Sequence, residues 1–160
     1  MESKIASKKA VNIQKHVAVD PQRPFTDDEF RCLPSDLEGL ETQKLAWCRL
    51  SEIVTPKGSL FASKYFSNFT TMPRNPSFLN EVGLLPPFYY QSLFLTPEFT
   101  PNGMYRVIVN IQGQFRVVVV DDIIPVYESS MQPIWGLDRE VPWYLILLKV
   151  WAKVTNGFKN

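Results

Sequence analysis

Several sets of residues in this 160-residue chain have types and spacings that could do chemistry. Asp121 and Asp122 end the β-branched run from Phe115 to Pro125, and neighbouring carboxylates could hold a metal or act as an acid pair. Cys48 lies between Trp47 and Arg49 and could be a nucleophile. A thiol nucleophile needs a thiolate held beside a base, however, and the one histidine, His16, lies far back in the N-terminal tail. A buried small residue is the plainer reading of Cys48. Lys4, Lys8, Lys9 and Lys15 form a basic arm that could grip an acidic polymer such as a microtubule surface, or could simply be solvated. The aromatic stretch carrying Phe88, Tyr89, Tyr90, Phe94 and Phe99 could anchor a protein partner, or could fold back on its own domain.

Composition bounds these options. Hydrophobic residues make up 45% and aromatics 13%, which is globular rather than disordered. Two cysteines and one histidine make no zinc-type cluster. The formal net charge of +1 selects no nucleic acid. Residues 1–24 carry a net +3 and residues 25–43 a net −5, so any charged docking would be local. The N-terminus lacks the apolar core of a signal peptide, and no apolar run is long enough for a membrane span. The expectation is a cytoplasmic chain with reduced thiols and no cofactor. Asn68-Phe69-Thr70 matches a glycosylation sequon, which in that setting is chance.

The elements that would position these residues follow from periodicity. Residues 1–24 read as a flexible arm, and 25–40 as an irregular wrap anchored by Phe25, Phe30, Leu33 and Leu37. Leu45–Trp47 with Ile53 and Val54 reads as a short buried element. Leu60, Phe61, Tyr65, Phe66 and Phe69 follow helical spacing, predicting a helix over 59–69 that Pro73 stops. A second short helix fits 78–82. Met104–Ile111 and Gln114–Val120 flank Gln112-Gly113 and predict a hairpin, and the stretch Val117–Val120 of the second strand, apolar on both faces, is expected to be the more buried. Pro142 suits a helix start and Gly157 a helix stop, and the strongly apolar run between them predicts a core helix over 142–156.

Four blocks in order resemble the calpain-type cysteine protease core, specifically its first lobe. Phe25-Thr26-Asp27-Asp28-Glu29-Phe30 is similar to an opening F-x-D-x-x-F. Trp47-Cys48-Arg49-Leu50-Ser51-Glu52-Ile53 is similar to W-x-R-P-x-E-I, with Leu50 for proline. Gly113–Pro125 resembles G-x-W-x-x-V-x-V-D-D-x-x-P, with Phe115 at the aromatic position. Trp143–Gly157 resembles W-x-x-L-L-E-K-A-x-A-K-x-x-G. In this family Asp121 and Asp122 would be structural, ending a strand and pinning the next loop.

The departures bear on activity. The family's nucleophile opens a central helix in G-x-x-G-D-C-W, and the resemblance sets Leu60 at that cysteine. No cysteine follows Cys48 in any register. The family's histidine and asparagine belong to a second lobe, and no histidine follows His16. A first-lobe calcium site would place Ser59 at an aspartate ligand and Lys149 at a glutamate ligand. A lysine there would repel calcium, or fill the site as a built-in cation.

The resulting expectation is an α+β fold: a single papain-like, calpain first-lobe domain over 25–160, with a central helix, a β-hairpin and a C-terminal core helix. Its expected function is that of a non-catalytic adaptor or structural subunit without metal. Its expected partners are proteins of a larger assembly, of the microtubule, axonemal or ciliary kind. Two alternatives remain: a regulatory partner of an active calpain-like chain, and a protease lobe completed in trans.

Overall fold

The computed structural model describes residues 23–28, 30, 44–54, 58–61, 87–134 and 141–155. The basic arm, the helix expected over 78–82, Leu33 and Leu37, and Gly157 lie outside them. Strand β1 (Leu45–Arg49) runs straight into a single helical turn, α1 (Leu50–Ile53). That turn starts where the Arg49 N–H donates to the Glu52 carboxylate at 2.5 Å, satisfying a donor that a helix start leaves open. Helix α2 (Pro87–Leu93) begins at a proline, whose fixed φ suits a first turn. Strands β2 (Met104–Ile111), β3 (Gln114–Asp121) and β4 (Ile123–Tyr127) follow, and then helix α3 (Pro142–Thr155). The architecture is α+β, with two small antiparallel sheets, β1–β4 and β2–β3.

The β2–β3 hairpin turns at Gln112 and Gly113, with φ 53° and 82°. Positive φ at both central residues gives a turn whose twist matches that of the strands. The register pairs Tyr105 with Val120 and Val107 with Val118, so these four side chains share one face. All four are buried, and α3 packs against both strands. Over Val117–Val120, the stretch expected to be the more buried, Val118 and Val120 are buried and Val117 and Val119 half-buried, whereas the paired residues Tyr105–Ile108 include the exposed Arg106; Gln114, Phe115 and Arg116 near the turn are exposed. A two-stranded sheet covered on one face buries alternate residues, whatever the apolarity of the others.

Helix α3 matches its expected span within one residue, and every residue from Pro142 to Val150 is buried. Trp143 is its aromatic hub. The Tyr90 ring stacks on it at 5.2 Å and the Phe61 ring at 5.4 Å, while Phe94 meets Phe61 edge-on at 5.1 Å. Helix spacing explains why α2 supplies Tyr90, since positions 90, 93 and 94 share one stripe and positions 88 and 89 fall outside it.

The helix expected over 59–69 does not begin at 59. Ser59 forms a β-bridge with Glu98, and Leu60 and Phe61 lie in a turn. The Leu60 N–H is taken by the Pro97 carbonyl at 2.9 Å, a long-range bond that competes with helical pairing. The remainder of that span lies outside the described residues.

Candidate functional site

The densest chemistry in the described residues is a buried charge cluster where β3, β4, α3 and the N-terminal segment meet. Asp121 ends β3 and is almost fully buried. Its carboxylate accepts from the Lys149 ammonium, from the Asp27 N–H at 2.7 Å and from the Ile123 N–H at 3.0 Å. Lys149, four residues before Lys153 on α3, also donates to the Ile123 carbonyl at 2.9 Å. Lys153 donates to the Asp27 carboxylate at 2.7 Å and to the Val119 carbonyl at 3.0 Å. One helix face therefore delivers two ammonium groups to two carboxylates. Charge balance is what permits such burial.

Asp122 faces the other way, as neighbours on a strand do. Arg49 reaches it at 2.7 Å and also donates to the Phe25 carbonyl at 2.7 Å. Gly103, at φ +68°, packs so closely here that a Cβ would strike the Asp122 carboxylate and the Arg49 guanidinium. Burial raises the Asp27 and Asp122 carboxyls above the ordinary carboxylate value, and their cationic partners pull them back only in part.

This arrangement is structural. Asp121 and Asp122 do not converge on a shared ligand, because each is spent on its own cation and backbone. Calcium does not fit the cluster, since two ammonium groups already occupy its carboxylates. Among the described residues no group of three or more histidines, cysteines and acids is placed for a metal. In the structure Lys149 is the cation that neutralises Asp121. Ser59 shares no partner with it: the Ser59 hydroxyl donates to the Pro97 carbonyl at 3.4 Å and accepts from the Phe61 N–H at 3.1 Å.

Cys48 sits inside β1, paired across from Ile124 of β4. Burial pushes its thiol up, and the Glu52 charge adds to the shift. Both effects disfavour a thiolate. Leu60 is fully buried in the core.

The five aromatic candidates separate. Phe88 and Tyr89 are exposed, whereas Tyr90 and Phe94 are core residues and Phe99 is half-buried against the core. The expected five-residue anchor is therefore two residues wide on α2. Beyond Asp121, Asp122 and Lys149, the cluster's pairings leave no local signal in the sequence, because its other partners lie 94 and 126 positions apart in the chain. The visible signal was Lys149 and Lys153, one helical turn apart inside an otherwise apolar run.

No family model matches the chain. Among characterised proteins it is similar to the calpain-type cysteine protease ADL1 of Oryza sativa subsp. japonica, at 31% identity over 157 residues. It is also similar to the calpain-type cysteine protease DEK1 of Zea mays, at 32% over 155 residues, and to DEK1 of Arabidopsis thaliana, at 28% over 168 residues. The matches cover 86% of this chain for the first two and 92% for the third. The chain spans only 7–8% of the length of these relatives.

Proposed function

Starting from a calpain-like domain, we propose that this segment is non-catalytic and serves as a structural or adaptor part of a larger protein assembly. The observation that carries this reading is the setting of Cys48. The chain has two cysteines, and none follows Cys48. The Cys48 thiol lies within a strand ladder and is pushed up by burial, the reverse of what a nucleophile requires.

In this reading Leu60 stands where the family has its cysteine, and a leucine can neither attack a carbonyl nor hold a proton. Lys149 and Ser59 stand at the calcium-ligand positions that the resemblance implies, and they supply no carboxylate. The first-lobe reading of residues 25–160 and the docking role of the basic arm belong to the same proposal. So does a cytoskeletal or axonemal setting, which the family resemblance alone supports. Among the described residues no helix is long and apolar enough to cross a membrane.

The test is hydrolysis of a casein-type substrate, with and without calcium, by the native chain and by Cys32→Ala and Cys48→Ala. We expect no cleavage and no labelling of Cys48 by an epoxide inhibitor of thiol proteases. Cleavage that either substitution abolishes would overturn the non-catalytic reading. A chain recovered from its native cell as a lone monomer would remove the adaptor reading.

A further inference from the structure

The β2–β3 hairpin has two outer edges, and the described residues cover one of them. At the β2 edge the Arg106 carbonyl accepts from the Leu95 N–H at 2.9 Å and the Arg106 N–H donates to the Thr96 hydroxyl at 2.8 Å, while Phe94 and Val107 form a β-bridge. The state of the β3 edge follows from the phase of the ladder. A two-residue loop closes on a hydrogen-bonded pair, here Ile111 and Gln114, and bonded and non-bonded pairs then alternate. Asn110–Phe115, Ile108–Val117 and Arg106–Val119 are non-bonded pairs by that count. The N–H and C=O of Phe115, Val117 and Val119 therefore point away from β2. Bonds on both strands fix the same phase: those of Arg106, and the one that the Val119 carbonyl accepts from Lys153 at 3.0 Å. Among the described residues no hydrogen bond reaches the outward groups of Phe115 and Val117 or the Val119 N–H.

This edge also lacks the devices that keep strand edges apart, which are prolines, lysines, bulges and short length. Strand β3 runs for 8 residues, and its register with β2 holds no bulge. From Gln114 to Val120 there is no proline and no lysine, and Arg116 is the one charge. Arg116 alternates onto the face that carries Val118 and Val120, so the other face of β3 presents Phe115, Val117 and Val119. Phe115 is 76% exposed. An apolar, β-branched run with open backbone groups is a template for another strand.

We propose that β3 is a self-association edge, which pairs antiparallel with β3 of a second copy of this chain about a two-fold axis at Val117. Such a patch must be complementary to itself, and this one is. An axis at Val117 pairs the three open residues with one another: Val117 faces Val117, and Phe115 faces Val119. Aromatic and β-branched cross-strand pairs of this kind favour pairing. Arg116 falls opposite Val118, so no like charges stand face to face. A carbonyl has two lone pairs, so Val119 accepts a strand N–H while keeping Lys153. One strand pair buries less than the roughly 1,000 Å² of a stable interface, so the association is weak and depends on concentration. The pairing stands on edge geometry and holds whether or not the segment is catalytic.

The test is sedimentation velocity of the full chain over concentrations up to millimolar, with amide exchange followed by NMR. We expect a reversible monomer–dimer equilibrium, and protection of the Val117 amide that rises with the fraction of dimer. Val117→Pro removes the N–H behind both central bonds and should weaken the dimer at least about tenfold. That N–H lies outside the β2–β3 ladder, so the hairpin should persist. Should that variant fail to fold, Phe115→Lys makes the comparison at an exposed position. It sets an ammonium beside Lys153 of the other copy, for a loss of again about tenfold. A chain that stays monomeric at every concentration would overturn the proposal. So would a dimer that leaves the Val117 amide unprotected, or one that Phe115→Lys does not weaken. Protection of that amide in the monomer would place a segment of the same chain on the edge, and protection that requires a different protein would assign the edge to that partner. Either outcome also overturns self-pairing.

Discussion

At one end of the β2–β3 hairpin Asp121 is tied to Lys149, Ile123 and Asp27; at the other, Gln112 and Gly113 turn in solvent beside an exposed Phe115. The same two strands thus run from a locked end to an open one. At the locked end each of three buried or half-buried cations meets a carboxylate, so loss of one partner leaves the other charge unneutralised. At the open end the side chains are exposed, and the bond there from the Arg116 guanidinium to the Gln114 amide oxygen at 2.8 Å lies in solvent.

The contrast can be broken most forcefully at Lys149. Lys149→Met leaves the Asp121 carboxylate buried and unpaired, and should cost about 3–5 kcal/mol in urea unfolding. A loss under about 1 kcal/mol would show that the locked end is not where stability resides. Gly103→Ala should cost at least about 2 kcal/mol, from an unfavourable positive φ and from displacing the Arg49–Asp122 pair. A smaller effect carries a sign. Burial raises Asp27 and Asp122 in the folded state above the unfolded value near 3.8. Between those values the folded chain holds protons that the unfolded chain has released. Each group's contribution is therefore full below the unfolded pKa and is lost as pH rises through the folded one. Urea unfolding followed stepwise from neutral pH down toward the unfolded value of 3.8 should show this as a gain on acidification from these two groups, which Asp27→Asn and Asp122→Asn flatten. At the open end, Phe115→Ser and Phe88→Ser should change stability by no more than about 0.5 kcal/mol, measured in the same way.

Much of the scaffold was legible in the sequence, for local reasons. Gln112-Gly113 between two β-rich runs specifies the hairpin, and Pro142 with the apolar run behind it specifies α3. What depends on distant partners was not legible. Strand β4 exists because β1, some eighty positions earlier, pairs with it, and nothing within Ile123–Tyr127 announces that partner. The helical spacing at Leu60 and Phe61 is overridden by bonds to Pro97 and Glu98. Tyr90 and Phe94 look like Phe88 and Tyr89 in sequence, and only docking of α2 on Trp143 sorts them into core and surface. Of the candidate site, Asp121, Asp122 and Lys149 stood out in the sequence, but the pairings did not, because they join residues 28, 73 and 126 positions apart and leave no local pattern.

That long span has a kinetic consequence. The hairpin closes over a handful of residues, whereas the Lys153–Asp27 pair closes a loop of 126 positions and cannot form until the chain between them is in place. It therefore belongs to the native side of the folding barrier. Loss of the pair should appear almost wholly as faster unfolding, with the refolding rate nearly unchanged. Removing it would shorten the lifetime of the folded molecule more than it would hinder its assembly.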